Sequence, residues 1–209
     1  SLGLMALEQR FMFDGAALAD SIAVVSDAFQ AQETSEASAS QSLFDLTTTA
    51  QALPPALGSA QERAVAQINA FLSAPDATRQ LFELFHGGQT EPTAQWLAQA
   101  DAFLAGLQGQ EISVRMELRS HQELLGAFGA FAAEGPDGQA VIYLNRDWAE
   151  SASSDSIARV LVEEFGHYID HQINQGVDTA GDEGERFAAQ MYGEQSNQAD
   201  RILLEDDRI

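Results

Sequence analysis

The spacing of apolar residues in the first half of the chain predicts helices. Apolar side chains recur every three or four positions in three segments, residues 59–73, 76–85 and 92–107. Ser59 and Glu62 have the spacing of a capping box, so we expect the first helix to begin there. No motif in these segments suggests chemistry, and we expect them to form a helical layer that packs on a core.

The spacing changes at residue 111. Residues 111–119 alternate apolar and polar side chains, which predicts a half-buried strand. Residues 128–134 and 140–145 flank a Gly-Pro-Asp-Gly turn and predict a hairpin. A longer helical pattern then begins at Ser153 and ends near Asn174. This order predicts an α+β fold, in which N-terminal helices pack on a small core with a short antiparallel sheet and two further helices.

The same patterns divide the chain into three parts. Residues 1–41 combine an amphipathic helix with a polar, aperiodic stretch that is typical of a flexible linker. Residues 42–193 contain the regular patterns described above and predict one domain. Residues 194–209 are mostly polar, which predicts a tail or a linker. The candidate chemistry lies in the second part.

One helix of this domain carries an unusual set of polar residues. Residues 161–171 contain three acidic and two histidine side chains beside an apolar stripe. At helical spacing Glu163, His167 and either Asp170 or His171 share one face, and Glu164 lies next to it. Burying such a group is costly unless its charge is compensated, and a bound cation is the usual compensation.

Composition restricts the classes of function. With 32 acidic and 10 basic residues the net charge is −22, which argues against binding to nucleic acid or to an anionic membrane. We expect no membrane insertion, because no apolar run is long enough, and no N-terminal signal peptide is recognisable. Cysteine is absent, so any metal ligands must come from His, Asp and Glu.

The helix at residues 161–171 follows the pattern of a zincin-type metal site. The signature of such sites, H-E-x-x-H, supplies two ligands one turn apart and a glutamate that activates the metal-bound water. Here Glu163 stands in the first histidine position, Glu164 in the base position and His167 in the second ligand position. The third ligand in such a site comes from a following helix.

Two longer motifs extend this comparison. The strings EEFGHYID, at residues 163–170, and GDEGERFAAQMYG, at 181–193, resemble the HEFGHxxD and EFFAE motifs of lethal-factor-like gluzincin metallopeptidases. The resemblance implies a zincin-like fold and a hydrolase. It places Glu185 on the third-ligand position, beside Glu163 and His167.

The glutamate in place of the first histidine leaves alternatives open. Glu163, His167 and Glu185 are chemically adequate for zinc. Two carboxylates weaken the Lewis acidity of the ion, however, and make Mn²⁺, Fe²⁺ or Ca²⁺ more competitive than at a two-histidine site. We expect zinc first and calcium second. In the metal-free alternative, Glu163 and His167 form an internal pair.

Four further residues are candidates for orienting the site or for binding the ion. Asp170 and His171 can support His167 from the same helix, although His171 is equally typical of a helix surface. Asp182 and Glu183 can bind a cation, or can simply cap the next helix as acidic residues.

A peptidase also needs a strand edge for its substrate. The segment from Tyr143 to Asn145 in the predicted hairpin is the candidate, because extended peptides bind by adding a strand to a sheet. The alternative is an ordinary strand with no such role.

Other motifs suggest the biological setting. YLNRDW (residues 143–148), VEEFGHYID (162–170) and DTAGDEGE (178–185) are similar to motifs in domains of giant bacterial calcium-binding repeat proteins. LEQRFMFDGAAL (7–18) resembles the N-terminal signature of very large secreted bacterial repeat proteins and adhesins. These resemblances imply a secreted or cell-surface protein with further domains in a longer chain. We therefore expect either a metal-dependent peptidase with a peptide or protein substrate, or a non-catalytic adhesin module with a structural cation or a degenerate site.

Overall fold

A computed structural model describes residues 42–47, 52–176 and 182–193 of the chain. These residues contain six helices and four short strands. The helices are α1 (Leu57–Leu72), α2 (Ala77–Phe85), α3 (Ala94–Gln108), α4 (Arg146–Ala149), α5 (Ser154–Ile173) and α6 (Glu183–Tyr192). The strands are β1 (Phe44–Leu46), β2 (Val114–Arg119), β3 (Gly129–Ala132) and β4 (Val141–Asn145). The α+β class is confirmed. The predictions for residues 1–41 and 194–209 lie outside the described residues.

The three helices predicted in the first half are confirmed as α1, α2 and α3. The capping box, however, is wrong. The Leu57 N–H bonds to the Pro54 carbonyl, so the turn after Pro54 already starts α1 two residues before Ser59. Ser59 lies within the first turn, where its hydroxyl donates to the carbonyl of Ala56.

The four strands form one mixed sheet in the order β1-β2-β4-β3. The β3–β4 hairpin is antiparallel, as predicted, but β2 pairs with both β1 and β4 in parallel. The expected antiparallel sheet is therefore wrong. The reason is that β4 lies between β2 and β3, and the hairpin turn brings it back alongside β2 in the same direction.

Helix α5 lies at the centre of the hydrophobic core. Its apolar face packs against the sheet and against helices α1, α3 and α6. The Phe165 ring is fully buried and meets Phe44 of β1 edge-on at a centroid distance of 5.9 Å, while a tilted contact joins it to Phe103 of α3. Burial of such aromatic surface is a major source of stability. The core therefore sets the position of the polar residues on α5.

We predict that Phe165→Ala lowers the free energy of unfolding by about 3–5 kcal/mol, because it leaves a cavity among tightly packed rings. Leu125→Ala is the matched control, since Leu125 is 66% exposed and its truncation should change stability by less than about 0.5 kcal/mol. Urea unfolding followed by circular dichroism measures both variants. Equal effects would contradict the central role of α5 in the core.

Candidate functional site

Two glycines allow α5 and α6 to cross at close range. A Cβ atom added to Gly166 would lie 2.8 Å from the Gly184 Cα. One added to Gly184 would lie 2.5 Å from both the Glu163 carbonyl oxygen and the His167 Nε2 atom. Real Cβ atoms do not approach other atoms so closely, so only glycine fits at this crossing. The crossing brings the acidic first turn of α6 against the polar face of α5.

His167 forms its main polar contacts with this first turn of α6. Its Nδ1 atom lies 3.0 Å from Glu183 Oε1, and its Nε2 atom lies 3.8 Å from Asp182 Oδ1. The Glu183 side chain is only 4% exposed, and its second oxygen, Oε2, has no hydrogen-bond partner among the described residues. Asp182 also caps α6 as predicted, by accepting from the Glu185 N–H at 2.9 Å.

The guanidinium of Arg159 lies between Glu163 and Glu185 and contacts both carboxylates. One guanidinium nitrogen of Arg159 lies 3.4 Å from Glu163 Oε2, and the other terminal nitrogen lies 2.8 Å from Glu185 Oε1. Arg159 precedes Glu163 by four residues and therefore shares its helix face. The i, i+4 spacing of Arg159, Glu163 and His167 was the signal available in the sequence.

The described residues contain no group of three or more His, Asp or Glu side chains arranged to hold a metal ion. Glu163 and Glu185 converge on Arg159, while His167 contacts Glu183. In place of the internal Glu163–His167 pair of the metal-free alternative, these residues form three ion pairs, two through Arg159 and one between His167 and Glu183. The ligand set of Glu163, His167 and Glu185 stays a prediction.

Glu164 extends toward the sheet rather than toward α6. Its side chain is buried against β3, where a Cβ atom added to Gly129 would lie 2.5 Å from Glu164 Oε1. Burial raises the pKa of Glu164 to about 8, even though the positive charge of His167 and the Phe131 N–H act in the opposite direction. The predicted base position is thus a buried carboxyl beside an edge strand.

The other two groups of the motif also hold protons more strongly than usual. Burial, together with the negative charges of Glu185 and Asp182, raises the pKa of Glu163 to about 7. Burial alone lowers the pKa of His167, but its hydrogen bond to Glu183 and the charge of Glu164 outweigh that effect and raise it to about 9. The carboxylates and the histidine of this site are therefore stabilised by positive charge, which a bound proton or a cation can supply.

Asp170 and His171 lie toward the end of α5. The Asp170 carboxylate accepts a hydrogen bond from the Asn174 amide at 2.7 Å, and Asn174 in turn accepts from the Trp96 indole at 3.0 Å. The His171 ring packs against Phe131 with a centroid distance of 6.0 Å. These contacts join α5 to α3 and to β3, and a supporting role for either residue at His167 stays a prediction.

The prediction of a substrate edge at Tyr143 to Asn145 is wrong. β4 pairs with β2 on one side and with β3 on the other, so its backbone groups are already used by the sheet. The Asn145 side chain caps α4 by accepting from the Trp148 N–H and donates to the Ala127 carbonyl at 2.7 Å. The edge of the described sheet nearest Glu164 is β3.

Comparison with known proteins found no matching family model, curated protein or solved structure. Across the described ranges, no helix combines the length and apolar character needed to cross a membrane.

We predict that Gly184→Ala destabilises the domain by about 1–3 kcal/mol, because the added methyl must push α6 away from α5. Gly58→Ala is the matched control in α1, where an added Cβ meets nothing within 4 Å and should be neutral or stabilise by about 0.4–1 kcal/mol. Thermal unfolding of both variants tests the crossing. Equal midpoints would contradict it.

We also predict that stability without added metal falls as pH rises from about 5.5 to 9. The folded-state pKa values of Glu163, Glu164 and His167 all lie above their ordinary values, so the folded chain binds more protons than the unfolded chain in this window. Each contribution is complete below the ordinary pKa of the group, 4.5 for the two glutamates and 6.5 for the histidine, and is lost as pH rises through the folded value. Melting curves in EDTA measure the slope.

Glu164→Gln provides the control for this pH dependence. The amide keeps the shape of the side chain but does not titrate, so the fall in melting temperature should become shallower. A melting temperature that rises between about pH 6 and 9 in the unmodified chain would contradict the shifted pKa values.

Proposed function

We propose that the domain binds one divalent metal ion where α6 crosses α5 and uses it to hydrolyse peptide bonds. The ligands are Glu163, His167 and Glu185, with zinc as the first choice of metal and calcium as the second. One observation carries this proposal. Glu163 of α5 and Glu185 of α6 both contact the guanidinium of Arg159. Arg159 lies on the same face of α5 as His167.

The surroundings of His167 support the proposed role. Metal-binding histidines usually donate their second ring N–H to a carboxylate, which fixes the orientation of the ring. The Nδ1 atom of His167 lies within hydrogen-bond distance of the buried Glu183 carboxylate. The Nε2 atom lies 3.8 Å from Asp182 Oδ1. Glu183 is thus suited to orient the imidazole, while Asp182 is a further oxygen donor within reach.

The location of Glu164 supports a hydrolytic role. A bound zinc ion supplies an activated water and polarises a carbonyl group. Glu164 would be the general base toward that water, a role that requires its carboxyl group to lose the proton that burial favours in the metal-free site. Its carboxyl lies beside β3, whose outer edge has no strand partner in the described sheet. An extended peptide or protein substrate that adds to β3 would therefore pass close to Glu164.

A second candidate function is a non-catalytic module of a large surface protein. The specific observation in its favour is that Arg159 already neutralises Glu163 and Glu185 without a metal ion. In that case the crossing is a structural ion-pair network, or it holds a structural cation such as calcium. We propose a secreted or cell-surface location for either function, because residues 7–18 resemble an export-associated bacterial signature.

Metal content and peptide cleavage together test the proposal. We predict that purified protein loaded with zinc contains one ion per chain and cleaves a mixed peptide library. Glu164→Gln should retain the metal but lose cleavage by about 100-fold or more, the usual contribution of a general base. Glu83→Gln, at an exposed position in α2, is the matched control and should cleave normally.

Two results would reject parts of this proposal separately. Stoichiometric metal with equal cleavage by wild type and Glu164→Gln would reject the peptidase and leave the structural-cation alternative. If His167→Ala keeps the metal and the stability of the wild type, the site itself is rejected. His86→Ala, at the half-buried C-cap position of α2, controls for the loss of a histidine.

A further inference from the structure

The guanidinium of Arg159 bridges two helices through different nitrogen atoms. One contacts Glu163 on α5 and the other contacts Glu185 on α6. All three side chains are partly shielded, with exposed fractions between 26% and 35%. Ion pairs in such surroundings are screened less than pairs on the open surface. Arg159 therefore contributes more to this crossing than a surface arginine would.

The carboxylates near Arg159 require a compensating positive charge. Glu163 and Glu185 both contact Arg159, and the carboxylate of Asp182 lies 3.8 Å from the Nε2 atom of the neighbouring His167. The neighbouring Glu183 is buried, with one carboxylate oxygen, Oε2, that has no hydrogen-bond partner among the described residues. Arginine stays charged at any pH at which proteins fold, so Arg159 can supply that compensation permanently.

We propose that Arg159 is the counter-ion of the metal-free site and that a divalent cation binds by displacing its guanidinium from Glu163 and Glu185. This inference rests on the proposed metal site. An arginine and a divalent ion that contact the same two carboxylates repel each other, so each weakens the binding of the other. Arg159 thus competes with the metal and lowers the apparent affinity of the site.

The position of Arg159 allows such an exchange. Its side chain is 28% exposed, so the guanidinium has a route to solvent without unfolding of α5. The displaced arginine would return when the ion leaves, since its Cα is only one helical turn from that of Glu163. Bound and metal-free states would then differ in the rotamer of one side chain and in the ligation of two carboxylates. This device would keep the helices together at low metal concentration.

Metal titration of the whole chain tests the exchange. Protein freed of metal with EDTA and then dialysed is titrated with Zn²⁺, and separately with Mn²⁺, by calorimetry. Arg159→Met removes the competing charge and keeps much of the side-chain length, so it should bind about tenfold more tightly than the wild type. Arg159→Lys should fall between them, because a lysine keeps the charge but cannot contact two carboxylates as a fork.

Arg63→Met is the matched control. Arg63 forms an exposed pair with Asp155 in the first turn of α5, at 2.8 Å, away from the crossing. Its replacement should leave metal affinity within about twofold of the wild type, since exposed pairs contribute little. A second measurement is thermal stability. Arg159→Met should melt below the wild type in EDTA and regain the difference when Zn²⁺ is added.

The outcomes separate the two proposals. Metal affinity that is equal or weaker in Arg159→Met overturns the counter-ion role while leaving the metal site in place. Absence of binding by both the wild type and folded Arg159→Met rejects the metal site and the exchange together. If Arg159→Met does not fold, Arg159→Lys decides, because the exchange requires its affinity to exceed that of the wild type.

Discussion

The close crossing of α5 and α6 is the constraint on which the candidate site depends. Gly166 and Gly184 lie face to face, and neither position has room for a Cβ atom. The helices can therefore approach until the acidic first turn of α6 reaches the side chains of Glu163 and His167. A wider crossing would separate these groups, and the pairing of His167 with Glu183 would be lost.

This approach concentrates negative charge at the edge of a hydrophobic core. α5 supplies the core with Phe165 and its apolar neighbours, and the same helix carries the polar residues on its other face. Burial destabilises the ionised form of a carboxyl group, and Glu163 and Glu164 both have raised pKa values for this reason. Arg159 and His167 provide the compensating positive charges. A divalent cation would stabilise the same carboxylates more strongly.

The sheet contributes the other side of the candidate site. Because β4 lies between β2 and β3, strand β3 is at the edge of the described sheet. It packs against α5. Gly129 leaves space for the Glu164 side chain beneath that edge. The fold therefore brings the Glu164 carboxyl group close to β3, although the two lie far apart in the sequence. Their proximity is the geometric basis for proposing an extended peptide as substrate.

Sequence alone determined the elements whose signals are local. Helical spacing marked α1, α2, α3 and α5, the turn at residues 135–138 marked the hairpin, and Asp182 marked the start of α6, because each signal lies within a few residues of its own element. Only the tertiary structure decided the strand order, the parallel partner of β4 and the pairing of Arg159 with Glu185. Those features join residues far apart in the chain, so they depend on how the elements pack and not on any local pattern.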